Sequence, residues 1–296
     1  MTSEELLKRV RKIEIKTRGL SRNIFAGEYH SQFKGRGMAF SEVREYQPGD
    51  DVRSIDWNVT ARMNRPYIKV YEEERELTVM LLVDVSGSRN FGTVSQMKRD
   101  TMAEVAATLA FSTIENNDKV GVIFFSDRIE KFIPPKKGKS HVLHIIRELL
   151  SFEPEHHGTD INAALQFLTN AQKRRCAAFL ISDLMDPKFA GERLKVRGEV
   201  APVVIAARKH DLNAIQIYDR RDAEMPNVGL LKVRDPETGA RVWADTSLAS
   251  VRNAYGQAWR DQQAALETVY TKTGMHNISV RTDEDYVKAL MRLFKQ

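Results

Sequence analysis

The chain has 296 residues, 42% hydrophobic and 29% charged, enough to bury a core as one α/β domain with additions or as two smaller domains. Its composition lacks the bias of a disordered or fibrous protein, and its one cysteine, Cys176, excludes an intramolecular disulfide framework and Cys-cluster zinc sites. The formal net charge is +6; residues 1–70 hold most of the excess, but their 14 basic and 9 acidic residues are interspersed, which reads as solvated or partner-facing surface and not as a nucleic-acid groove.

The opening MTSEELLKRVRKIEIKTRG has no apolar signal-peptide core, and the longest apolar run, near Met80, falls far short of a span. The expectation is a cytoplasmic protein with no membrane span. Within residues 4–17, Leu6, Val10 and Ile13 recur at helical spacing and predict a short amphipathic helix. Residues 18–66 then lose periodicity and read as irregular or extended, though Phe25, Tyr29, Phe33, Phe40, Tyr46 and Trp57 argue for order.

From Leu77 the pattern becomes regular. LTVMLLVDV is a continuous apolar run, predicting a strand covered on both faces. A helix is predicted over 95–116, a strand over 119–126, and an antiparallel strand in RIEKFIPP after a turn at Asp127 and Arg128. Helices follow over 140–152, with Ser140 as N-cap, and over 158–174, opened by Thr159 or Asp160. CAAFLISD (176–183) is a buried strand, 189–210 reads as mostly helical, and 213–219 as a strand. A hairpin turning at Asp235–Gly239, a helix over 247–272, a strand over 276–281 and a helix over 283–294 close the chain. The fold class is therefore α/β: an open, mainly parallel sheet with helices on both faces, one antiparallel edge strand, an N-terminal extension and an inserted β-hairpin.

Three segments converge on one edge of such a sheet, beyond the C-terminal ends of its strands. Asp84 ends the first strand, with Ser86 and Ser88 in the loop after it; Thr159 opens a helix; Asp183 ends another buried strand. Two carboxylates and three hydroxyls are hard oxygen donors, suited to Mg2+, with Mn2+ or Ca2+ as substitutes. Neutral hydroxyls leave such a cation electropositive, which favours gripping an acidic side chain of a partner over activating a water.

This constellation resembles the metal-ion-dependent adhesion site of von Willebrand factor type A domains, matched at Asp84, Ser86, Ser88, Thr159 and Asp183. The resemblance implies direct metal contact by the serines and the threonine, with the aspartates acting through water. Arg89 and Asn90 depart from it, and the nearby cation would weaken metal binding or receive an acidic ligand. A second resemblance covers nearly the whole chain. The turn at Tyr46, Pro48, Gly49, Asp50 and Asp51, then Arg53, Ile55, Asp56, Trp57, Thr60, Ala61 and Arg62, and later DPETG (235–239), look like the signature of the bacterial domain of unknown function family 58. This divides the chain into a family-specific extension, 1–76, and a type A-like domain, 77–296, with a hairpin insertion at about 228–246.

Physically, the signature reads as a turn with Ile55 and Trp57 in a small core and with Arg53 or Arg62 pairing Asp51 or Asp56, as a partner surface, or as both. Members of that family accompany MoxR-type AAA+ ATPases, so a similar partnership is implied. No Walker A pattern occurs, which argues against ATP hydrolysis by this chain itself. The expected function is a non-enzymatic adaptor that grips acidic protein ligands. The rivals are a Mg2+-dependent hydrolase or phosphatase with His156 or His157 as base, and a nucleic-acid binder using the basic N-terminal segment.

Overall fold

The computed structural model describes residues 11, 39–72, 77–93, 96–190, 195–196 and 199–294. The helix expected at 4–17 lies outside the described residues. The chain divides into two units, one within residues 34–77 and the other from residue 78 onward.

In the first unit, strands β1 (Ala39–Glu45) and β2 (Tyr67–Glu72) pair antiparallel, with a register shift between Phe40 and Glu42. Between them stand a 3-10 turn (Val52–Ser54) and helix α1 (Trp57–Met63). The irregular or extended reading of this stretch is thus corrected at residues 52–63, which form helical turns: these elements are too short to show a period, and their signals are caps. Asp51 accepts from the Arg53 N–H, and Asp56 accepts from the N–H groups of Asn58 and Val59. Asp50 is gripped by both Arg44 guanidinium nitrogens at 2.8 and 2.7 Å, and Gly49 takes the positive φ of +109° that the turn requires. The expected partners of Asp56 and the expected place of Trp57 are also corrected. Asp56 pairs with Lys69 at 3.5 Å, and Trp57 is 70% exposed at the start of α1, with Arg53 and Arg62 exposed as well. Once Asp56 is fixed as the cap, Trp57 is committed to the first helical position, while Ile55 forms an antiparallel backbone bridge with buried Ile68.

The second unit is built on a six-stranded sheet in the order β12-β9-β6-β3-β4-β5. Its strands are β3 (Thr78–Asp84), β4 (Lys119–Phe125), β5 (Ile129–Lys136), β6 (Ala177–Ser182), β9 (Asp211–Tyr218) and β12 (His276–Arg281); two-residue strands β7 (Lys195–Val196) and β8 (Glu199–Val200) pair with each other. All sheet neighbours are parallel except β4 and β5, so β5 is the antiparallel edge. The expected sheet is therefore the one found.

The helices of this unit are α2 (Lys98–Glu115), α3 (Lys139–Ser151), α4 (Ile161–Ala171), α5 (Pro187–Ala190), α6 (Pro202–Lys209), α7 (Arg220–Ala223), α8 (Ala249–Thr273) and α9 (Tyr286–Leu293). Alternation within the strands sorts them into two layers. Met80, Leu82, Ile123, Phe125, Ala178 and Leu180 form one core with Leu165 and Leu168 of α4, Val203 of α6 and Leu266 of α8. On the opposite face Val83 and Phe124 adjoin Met102 of α2 and Leu149 of α3, while Phe179 meets Phe294 after α9 edge-on at 6.1 Å.

Two helix readings are corrected. Residues 189–210 are not one helix: Pro202 occupies the first turn of α6, where it fits, and the stretch before it includes α5, β7 and β8. Helix α3 is capped by Gly138, not Ser140, and without a side-chain bond. The hairpin is present as β10 (Leu230–Arg234) and β11 (Arg241–Asp245), an antiparallel pair by itself. Among the described residues, no helix is long and apolar enough to cross a membrane.

Candidate functional site

Strand β3 has β4 on one side and β6 on the other, although β4 follows it and β6 comes much later. The strand order reverses there, and such a reversal opens a crevice at the C-terminal ends of the strands. Asp84 and Asp183 stand at that edge, at the ends of β3 and β6, and both are buried.

Each oxygen of Asp84 is engaged. Oδ1 accepts from the Ser86 N–H at 2.8 Å and Oδ2 from the Ser182 hydroxyl at 2.6 Å. The hydroxyls of Ser86 and Ser88 lie 3.0 Å apart. The Ser86 hydroxyl also favours the charged form of Asp84, and the Ser88 hydroxyl that of Asp183. The Gly87 N–H donates to the His157 carbonyl at 2.9 Å, tying this loop to the segment that carries Thr159. Asp160 then caps α4 by accepting from the Ala163 N–H at 2.9 Å, which leaves Thr159 just ahead of the helix. The loop after β6 passes through Leu184 with φ at +57°, an uncommon conformation for a buried residue with a side chain. The structure thus brings Asp84, Ser86, Ser88 and Asp183 into one network and sets the Thr159 loop against it.

Lys98, at the first position of α2, was not anticipated. Its ammonium is 2.8 Å from Asp183 Oδ2 and 3.2 Å from Asp222 Oδ2, with 3% of its side chain exposed. Ser182, which holds Asp84, was missed as well. So was Glu237 in the turn between β10 and β11: the Thr159 hydroxyl donates to its Oε1 at 2.7 Å. A lysine opening a helix and a glutamate in a hairpin turn are ordinary surface patterns, so no sequence signal marked either.

The charges explain the proton affinities. Burial, then the charge of Asp183, push the Asp84 carboxyl above its ordinary range, against hydrogen bonds from Ser182 and Ser86. Burial acts the same way on Asp183, but Lys98, the Ser88 hydroxyl and the Met185 N–H together outweigh it and hold that carboxylate below the ordinary range. Burial opposes the Lys98 ammonium, yet Asp183 and Asp222 keep it firmly protonated. Burial also raises Glu237, against the Thr159 hydrogen bond and with Asp183, Asp235 and Asp186 adding to the rise. Acidic groups outnumber the one buried ammonium in this network, and the excess suits a further cation.

Among the described residues, no group of three or more His, Cys, Asp or Glu side chains is placed to hold a metal. A cation here would therefore take hydroxyls into its donor set, and Ser86, Ser88 and Thr159 provide them. Arg89 does not present itself to a ligand: it is buried and donates to the Phe152 carbonyl at 2.7 Å. His157 contributes its carbonyl and exposes its side chain, while the His156 ring is 4.0 Å from Asp127.

Residues 42–265 match the family described as Protein of unknown function DUF58, and the chain belongs to that family. The uncharacterized protein Rv1480 of Mycobacterium tuberculosis is 29% identical over 286 residues, which are 96% of this chain and 87% of that one. An aerotolerance-related membrane protein of Bacteroides fragilis aligns over 74% of this chain and 98% of its own, at 18% identity and a TM-score of 0.48. BatB of Bacteroides thetaiotaomicron aligns over 74% and 97%, at 19% identity and a TM-score of 0.46.

Proposed function

We propose that this DUF58 protein is a metal-dependent protein-interaction module, an adaptor that holds acidic side chains of partner proteins and works beside a MoxR-type AAA+ ATPase. The observation that carries the reading is the cluster of Asp84, Ser86, Ser88 and Asp183 at the sheet's switch point, with the loop that carries Thr159 tied to it through the Gly87 N–H. Ser86, Ser88 and Thr159 would hold Mg2+ through their hydroxyls, with Asp84 and Asp183 as the carboxylates behind them. Once bound, the cation supplies a positive centre that accepts a partner's carboxylate. Mn2+ and Ca2+ are the substitutes, as other cations that favour oxygen ligands.

The chain's own residues do the positioning. Ser182 and the Ser86 N–H occupy both oxygens of Asp84, which suits holding and orienting more than nucleophilic attack. Lys98 fixes Asp183 and balances part of its charge. The test is affinity capture from the native organism with full-length protein, in Mg2+ and in EDTA, with Ser86→Ala alongside. The AAA+ ATPase should be recovered in Mg2+ and depleted about tenfold by EDTA or by the substitution, a difference of ~1.4 kcal/mol. Equal recovery in all three would defeat the metal-bridge mechanism, and absence of the ATPase from all three would defeat the partnership.

A further inference from the structure

The hairpin tip is built to present one side chain. Asp235 ties up its own turn: its Oδ1 accepts from the Glu237 N–H at 2.9 Å, its Oδ2 from the Thr238 hydroxyl at 2.6 Å, and its carbonyl from the Gly239 N–H at 2.9 Å. Gly239 takes φ of +72°, which closes the turn. Beneath the tip, among the described residues, the two strands pair only with each other, and Leu230, Val242 and Trp243 on them are exposed. An isolated two-stranded hairpin is marginal in water, so contacts at its tip matter to its position.

Two independent contacts seat that tip on the candidate metal loop. The Thr159 hydroxyl donates to Glu237 Oε1 at 2.7 Å. The Pro236 carbonyl oxygen also lies 2.3 Å from where a Cβ on Gly87 would stand, a distance that only glycine permits. Gly87 lies between Ser86 and Ser88, so the backbone of the tip rests directly on the loop that carries both hydroxyls. Glu237 thereby brings a carboxylate to the edge where the proposed function places a partner's acidic side chain.

We infer that Glu237 is an internal acidic ligand of this site: the hairpin closes the site from within the chain, and a partner's carboxylate must displace it. The inference rests on the metal-site reading. A carboxylate tethered this way is present at an effective concentration of the order of millimolar or more, so weak acidic ligands are excluded and only a partner with additional contacts gains entry. Displacement would free the hairpin and its exposed apolar strands, coupling occupancy of the site to the position of the insertion.

The experiment uses the full chain with Mn2+ as probe and compares wild type, Glu237→Gln and Gly87→Ala. Gln keeps an oxygen that can accept from Thr159 but removes the charge, and Ala adds the Cβ that pushes the tip away. Three quantities are read: Mn2+ affinity, the number of exchanging waters on bound Mn2+ from water-proton relaxation, and hydrogen exchange of amides 230–245. Wild type should bind Mn2+ and slow hairpin exchange about tenfold on binding. Glu237→Gln should still bind, gain one exchanging water and lose the metal-dependent protection; Gly87→Ala, whose Cβ stands inside the metal loop, should lose that protection as well. If all three bind Mn2+ with equal water counts and equal hairpin exchange, the inference fails while the metal site stands. If wild type binds no Mn2+, the site reading fails and takes the inference with it. Circular dichroism checks that the variants remain folded.

Discussion

At the scale of single residues the site is a problem of buried charge. Lys98 lies between Asp183 and Asp222 with almost no exposed side chain, and removing it would strand two carboxylates. Breaking a buried pair from one side costs roughly 3–5 kcal/mol, because the remaining charge has lost both water and its partner. Lys98→Met should therefore unfold at markedly lower urea, with a loss in that range. Added Mg2+ should restore more stability to the variant than it adds to wild type, since a cation at the neighbouring hydroxyls answers the same excess of acid. Equal Mg2+ effects on the two proteins would separate Lys98 from the metal. That Asp84, Ser86, Ser88 and Asp183 stand at one edge of the sheet was legible because strand ends fix where short polar residues must stand. Lys98, Ser182 and Glu237 were not, because their importance comes from what they meet across 85, 98 and 78 residues of chain.

At the scale of elements, the sheet was legible because its strands are continuous apolar runs that only burial on both faces explains. The unread pieces were those whose local signals are weak or compete. The crossover that two parallel strands require extended a mostly helical reading across 189–210, whereas Pro202 places the start of α6. The short elements within 39–66 span too few residues to display a period, and their capping aspartates carry the information instead. The end of α6 offers a prediction of its own. His210 is buried beside Cys176, with Nδ1 3.2 Å from Sγ and Nε2 without a hydrogen-bond partner. Burial, then Lys209, lower its pKa from 6.5 to about 4. Between those values the unfolded chain binds the proton and the folded chain does not, so this contribution is complete above about 6.5 and is lost as pH falls toward 4. The urea midpoint of wild type should drop across that window more steeply than that of His210→Leu. Parallel curves would show that His210 titrates normally in the fold.

At the scale of the whole molecule, the architecture assigns different work to its parts. The sheet's switch point gathers loops from β3, from the segment before α4 and from β6, so residues far apart in sequence share one edge. The hairpin between α7 and α8 returns to that edge through Pro236 and Glu237. In the unit within residues 34–77, Asp50, Asp51 and Asp56 serve turns and caps while Trp57 remains exposed. Everything functional in this account depends on the edge holding a cation. Isothermal titration of the full chain with Mg2+, set against Ser86→Ala and Thr159→Ala, tests that most directly. One Mg2+ per chain is expected in the wild type, with affinity weakened about tenfold or more in each variant, at least the loss seen when a metal ligand's supporting residue is removed. No Mg2+ binding by wild type, or equal binding by all three proteins, would contradict it.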